Sequence, residues 1–189
     1  HRGRVQILAY AAGEEDFVDA NFNNVYDCGE GWSDLTTAFR DDNENRVFDT
    51  GEFSVPRAPS ASACASAATP SPTGGDGVWG TVDVRMQSTI IFATSSAVIT
   101  GTARPATLNI TIADGNGNSM PTGSDVVIRP VASTGCGPAG TVNFTTKIAN
   151  TLAPSLISLP LVNCNAGDSV LVEVTSPLKL VTRTAFVVQ

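Results

Sequence analysis

A phrase of twelve residues occurs twice in this chain, 22 residues apart. The first copy runs Asp19-Ala-Asn21-Phe-Asn23-Asn-Val25-Tyr-Asp27-Cys-Gly29-Glu30. The second follows 22 residues later as Asp41-Asp-Asn43-Glu-Asn45-Arg-Val47-Phe-Asp49-Thr-Gly51-Glu52. Oxygen-bearing side chains stand at the first, third, fifth, ninth and twelfth places of both copies. That is the spacing of the calcium loop D-x-[DN]-x-[DN]-G-x5-E.

A calcium ion takes about six to eight hard oxygens in a flexible shell. Alternate residues of a tightly curled loop turn their oxygens inward. The backbone carbonyl at the seventh place adds one more, and the closing Glu can bind with both of its oxygens. The expected ligands are Asp19, Asn21, Asn23, Val25, Asp27 and Glu30 in the first loop. In the second they are Asp41, Asn43, Asn45, Val47, Asp49 and Glu52. Without a cation the acids of each loop would repel one another. The alternative is a solvated acidic hairpin pair with no metal.

The sixth place of such a loop needs positive φ and is normally glycine. Asn24 tolerates that conformation and Arg46 does so poorly, so the first loop is the better-formed site. Gly29, Gly51, Gly31 and Pro56 crowd the exits, where an EF-hand would start a helix. Glycine and proline disfavour one there. The loops are therefore expected to be EF-hand-like in ligands and not in framework. The same point weakens a dockerin reading, whose period is similar.

The charge is segregated. Residues 1–55 hold 12 Asp and Glu against 4 Arg, whereas residues 56–189 hold 6 acids against 7 bases. Crowded negative charge argues against nucleic acid as a partner. No run reaches the roughly 18 apolar residues of a membrane helix, so no membrane span is expected. The start, His-Arg-Gly-Arg without Met, suggests a processed piece of something longer. Four cysteines, Cys28, Cys64, Cys136 and Cys164, fit an oxidising compartment. None forms a CxxC, and there is one histidine, so a zinc site is not expected.

Three segments follow: residues 1–56 with an N-terminal strand at Arg4–Ala11 and the doubled loop, an Ala/Ser/Pro-rich linker at 57–77, and a β region at 78–189. Between the loops a short helical turn capped by Ser33 would put Leu35 and Phe39 on one side. Phe17, Tyr26, Trp32, Phe39 and Phe48 read as a mini-core that pins the loops together. In the β region, strands are expected at Val78–Arg85, Ser88–Ser95, Thr107–Ala113, Asp125–Val131, Thr141–Thr146, Ser155–Val162, Ser169–Thr175 and Leu180–Val188. Their spacing near ten residues points to an all-β sandwich. Glu173 alternates with valines and reads as solvent-facing. The favoured bridges are Cys28–Cys64, where the linker can reach back to the first loop, and Cys136–Cys164; the sequence permits two other pairings.

The stretch Leu-Asn-Ile-Thr-Ile-Ala-Asp-Gly-Asn-Gly-Asn-Ser-Met-Pro-Thr-Gly-Ser-Asp-Val within Thr107–Pro130 resembles the bacterial Ig-like domains of the invasin/intimin group. There a strand, a D-x-x-G-N turn, Pro-x-Gly and the next strand follow in the same order. The segment from Gly3 to Phe17, with the doubled phrase behind it, is similar to acidic inserts in large tandem Ig-like surface proteins of Gram-negative bacteria. The resemblance implies an Ig-like β-sandwich at the cell surface, used in adhesion or surface structure. It implies no catalytic residues.

Three function classes compete. The first is an extracellular adhesive or structural module stiffened by calcium. Its partners would be neighbouring copies or adjacent Ig-like domains, up to a homopolymeric fibre built by strand addition, with a surface receptor or glycan besides. The second is a calcium-dependent carbohydrate-binding module. That class displays aromatics on a sheet face, and the β region offers only Trp79, Phe92, Phe144 and Phe186. The third is an enzyme, using paired acids such as Glu14/Glu15 or Asp41/Asp42. The only histidine is His1, which leaves no Ser–His–Asp arrangement, and the acids are better explained as ligands and loop flanks. A non-catalytic protein is expected.

Overall fold

The computed structural model describes residues 2–131 and 135–189. The described residues form strands and no helix; none is thus long and apolar enough to cross a membrane. The sole histidine, His1, lies outside them. The chain divides into two compact units: Val5–Ile90 is one, and Arg2–Arg4 with Ile91–Gln189 is the other. The division thus falls later than the Val78 start read from the sequence.

Within the first unit, strand β1 (Arg4–Glu14) pairs with β2 (Thr81–Ile91) as a two-stranded ribbon. The two strands expected at Val78–Arg85 and Ser88–Ser95 are therefore a single long one. The ribbon has two unlike faces. On one, Thr89 donates to Gln6 Oε1 at 2.8 Å, Arg85 donates to the Thr36 carbonyl at 2.7 Å, and Asp83 meets Arg57 at 3.1 Å. Gln87 Oε1 on the same side accepts the Asp41 N–H at 2.9 Å. On alternate positions Val5, Ile7, Val84, Met86 and Ile90 are exposed. Strand periodicity puts the polar set on the loops and the apolar set outward.

The second unit is a β-sandwich. Its strands are β3 (Ala97–Arg104), β4 (Thr107–Asp114), β5 (Asp125–Pro130), β6 (Gly137–Pro138), β7 (Phe144–Lys147), β8 (Ser155–Val162), β9 (Ser169–Thr175) and β10 (Val181–Val187). One sheet has the order β10-β9-β5-β7 and the other β3-β4-β8-β6. Period-two burial makes the core: Leu108, Ile110 and Ile112 on β4, Val126 and Ile128 on β5, Val170, Val172 and Val174 on β9, and Leu159 and Leu161 on β8. Register stacks them, with Val126 opposite Val174, Ile128 opposite Val172, and Leu108 opposite Leu159. Each such side chain contributes about 1.5–3 kcal/mol by leaving water. Glu173 sits on the outward alternation and pairs with Arg183, its register partner.

Strands β3 and β6 carry no strong sequence signal. In β3 the interruption is Gly101, where a Cβ would come within 2.1 Å of the Asn109 carbonyl oxygen. Glycine there lets two backbones close up, while in sequence it reads as a break. The bridge Cys136–Cys164, with Cα atoms 4.3 Å apart, ties the start of β6 to the end of β8. At the other end of the unit, Asp114 is fully buried and accepts the N–H groups of Thr94, Asn116 and Asn118. Asn118 in turn holds Arg2–Arg4: its Nδ2 donates to the Arg2 carbonyl and its Oδ1 accepts from Arg4.

Candidate functional site

The doubled phrase folds into two loops that agree hydrogen bond by hydrogen bond. In the first, Asp19 accepts the N–H groups of Asn23 and Asn24 at 3.2 and 2.8 Å. In the second, Asp41 accepts those of Asn45 and Arg46 at 3.1 and 2.7 Å. Asn21 Oδ1 accepts from Asn23 N–H, and Asn23 Oδ1 from Val25 N–H. Asn43 and Asn45 repeat this with Asn45 and Val47. The closing glutamate is a clamp. Glu30 takes Ala20 N–H on one oxygen and Asp27 N–H on the other; Glu52 does the same with Asp42 and Asp49.

The ligand-place side chains converge. The amides of Asn21 and Asn23 both reach one oxygen of Asp27, at 2.6 and 2.8 Å. Those of Asn43 and Asn45 both reach one oxygen of Asp49, each at 2.7 Å. In each copy the third, fifth and ninth places therefore meet, with the asparagine amide N–H groups turned to the carboxylate and the amide oxygens turned to backbone N–H groups. Asp19 and Glu30 each keep free lone pairs beyond the N–H they accept. Such a donor set, three carboxylates and two amides per loop, has the hardness and charge to suit calcium. Among the described residues no three His, Cys, Asp or Glu side chains gather into a metal cluster by themselves. The convergence runs through asparagine.

The backbone obeys the same offset. Asn24 and Arg46 adopt φ of 58° and 66°, so the sixth place has the left-handed conformation that its spacing demanded, arginine included. Phe22 and Glu44 at the fourth place are also left-handed, at 62° and 64°, which no residue type there announced. Gly29 and Gly51 stand at 101° and 103°, a region glycine enters without penalty.

The repeat is longer than its phrase. Phe17 bridges to Trp32 and Phe39 to Ser54, again 22 residues on. Val18 N–H bonds the Gly31 carbonyl at 2.7 Å, and Arg40 N–H the Phe53 carbonyl at 2.8 Å. Phe17 meets Tyr26 edge-on at 5.8 Å, and Phe39 meets Phe48 edge-on at 5.6 Å. In place of one mini-core pinning the loops together, four of the five expected aromatics form two separate pairs, one to each loop, and Trp32 serves as the bridge partner of Phe17. The helical turn expected after Ser33 does not form: Trp32 and Phe39 are bridge residues, and Leu35 N–H is drawn to Glu15 at 2.7 Å.

Outside the repeat the supports differ. Trp79 stacks on Tyr26 at 4.8 Å and meets Phe17 edge-on, and its Nε1 donates to the Glu15 carbonyl. This tryptophan therefore belongs to the loop unit and not to the sandwich. Cys28 is bonded to Cys64 with Cα atoms 5.4 Å apart, so both disulfides pair as favoured. The second loop has Thr50 in place of the cysteine and leans on the ribbon, through Gln6 to Glu44 and Gln87 to Asp41. The Arg40 guanidinium, hydrogen-bonded to Asp42, holds that carboxyl below the ordinary range.

Beside the first loop, Glu15 and Asp76 are 5% and 6% exposed. Burial pushes the Glu15 carboxyl up against the N–H bonds it accepts from Leu35 and Gly80, and the charges of Asp34 and Asp76 push it further. At Asp76 burial also acts upward, but hydrogen bonds from Ser60 and Val78 prevail and its pKa is lowered.

Compared with protein-family models, with curated proteins and with solved structures, the chain matches none.

Proposed function

We propose that this chain is a non-catalytic, extracellular structural or adhesive module of a bacterial surface protein, stiffened by calcium in its two loops. The observation that carries the reading is the paired convergence of Asn21, Asn23 and Asp27 and of Asn43, Asn45 and Asp49. Asp19, Asn21, Asn23, Asp27 and Glu30, with the Val25 carbonyl, would hold one ion. Asp41, Asn43, Asn45, Asp49 and Glu52, with the Val47 carbonyl, would hold the other. Bound calcium supplies charge neutralisation and cross-links the ends of each loop. The chain's own residues already fix the curl: the glutamate clamp closes it, and the left-handed sixth place turns it.

Two disulfides suit an oxidising compartment. Assembly by strand addition is favoured by the ribbon. Among the described residues, β1 and β2 pair only with each other, and an eleven-residue edge is a ready template for a third strand. The carbohydrate-binding alternative has less in its favour: Phe144 and Phe186 pack on the sandwich core, which leaves Phe92 as that unit's exposed aromatic ring.

The test is thermal unfolding of the full chain with calcium and with EDTA, alongside metal content after purification without chelator. Saturation at about a hundred times the dissociation constant stabilises by about 2.7 kcal/mol per site. A lower melt in EDTA, restored by calcium and not by magnesium, is expected. An identical melt with no calcium retained removes the role of the ion.

A further inference from the structure

A small cavity in the first unit is lined by Glu15, Thr37, Arg57, Ser60 and Asp76, with Leu35 and Val82 among its apolar walls. Its polar groups are unusual. Glu15 and Asp76 are nearly inaccessible, and among the described residues neither forms an ion pair. Glu15 spends one lone pair on Leu35 N–H and another on Gly80 N–H; Asp76 spends its own on Ser60 and Val78. Each Glu15 oxygen keeps a further lone pair. Arg57, the cation on the cavity wall, is engaged by Asp83 at 3.1 Å. Asp34, the other acid whose charge reaches Glu15, accepts the Gly77 N–H.

The independent observation is Thr37. Its residue is 5% exposed, and its Oγ1 is a buried side-chain oxygen with no hydrogen-bond partner among the described residues. A buried hydroxyl without a partner is costly, as is the buried Glu15 carboxylate with no ion-pair partner. One occupant relieves both.

We infer that this cavity is a third cation site, taking a single divalent ion between Glu15, Asp76 and Thr37. The ion's charge balances the two carboxylates, and the threonine oxygen enters as a neutral hard ligand. The site lies on neither repeat, so it is independent of whether the loops bind calcium. Glu15 anchors Leu35 and Gly80, so an ion here would lock the segment between the loops to the residues leading into β2.

Native mass spectrometry of the full chain in calcium, with and without Glu30→Gln and Glu52→Gln, tests this. The doubly substituted loop variant is expected to keep one ion, and Asp76→Asn on that background to lose it. Thr37→Val is the gentler arm, since the hydroxyl has no bond to forfeit. In EDTA its melt is expected to be no lower than the parent's, while affinity for the remaining ion falls about tenfold or more. A loop variant carrying no ion overturns the inference, because a water then suffices for the cavity. So does an ion that survives both Asp76→Asn and Thr37→Val. Should the loops prove empty, the parent would carry the cavity ion alone, indifferent to Glu30→Gln. The two readings therefore fail separately.

Discussion

In Ile91–Gln189 the side chains that set the structure are apolar and alternate; in the loops of Val5–Ile90 they are amides and carboxylates at fixed intervals. Leu108, Ile112, Val126 and Val172 are fully buried, whereas residues 19–30 are almost all exposed or half-exposed. The sandwich excludes water and is held by that exclusion. The loops stand in water, where each hydrogen bond contributes about 0.5–1.5 kcal/mol net, against about 1–2 kcal/mol for fixing each residue's backbone. Twelve residues ordered by eight side-chain hydrogen bonds thus depend on outside help. The first loop receives it from a disulfide and the Tyr26–Trp79 stack; the second receives it from the ribbon.

The sharpest break in this contrast is Leu108→Ala. It should cost about 2–5 kcal/mol and be read as lost amide-exchange protection in β4 and β8, with the loops unchanged. Equal loss in both units would mean that they share one cooperative fold. Next comes Cys28→Ser with Cys64→Ser, expected to cost about 3–4 kcal/mol on the chain-entropy account, with exchange rising in the first loop and not the second. Arg46→Gly follows, expected to stabilise by about 1 kcal/mol, because arginine is held at positive φ there. Asn24→Gly should gain less, asparagine being at ease in that region. The smallest effect belongs to the exposed pair Lys147–Asp125. Its lysine lowers the Asp125 pKa, so the pair's contribution is present above the unfolded value and lost as pH falls through the folded one. Asp125→Asn should leave the melt near neutrality almost unchanged and flatten its acid limb below pH 3.8.

How far each region could be read from its residues follows from the same contrast. Alternation at Ser155–Val162 and Ser169–Thr175 places both strands to the residue, because burial on one face leaves a period of two. β3 escapes because Gly101 is selected by a backbone approach that only the folded pair reveals. In the loops the ligand spacing predicts the curl and the left-handed sixth place. It says nothing of Phe22 and Glu44, whose side chains give no hint of positive φ. The partner of β1 is also invisible, since pairing across more than sixty intervening residues leaves no local trace. Glu15 reads as half of an acidic pair at a loop's edge; its burial depends on Leu35 and Gly80, far along the chain.

Each frame closes on itself between its opening bridge at Phe17 or Phe39 and its final bond at Ser33 or Val55, and the next begins within a few residues. Length in this part of the molecule is thus quantised. A change of one whole 22-residue period keeps the ligand places in step with the clamp, while a shift of one residue puts them out of step in the curl it falls in.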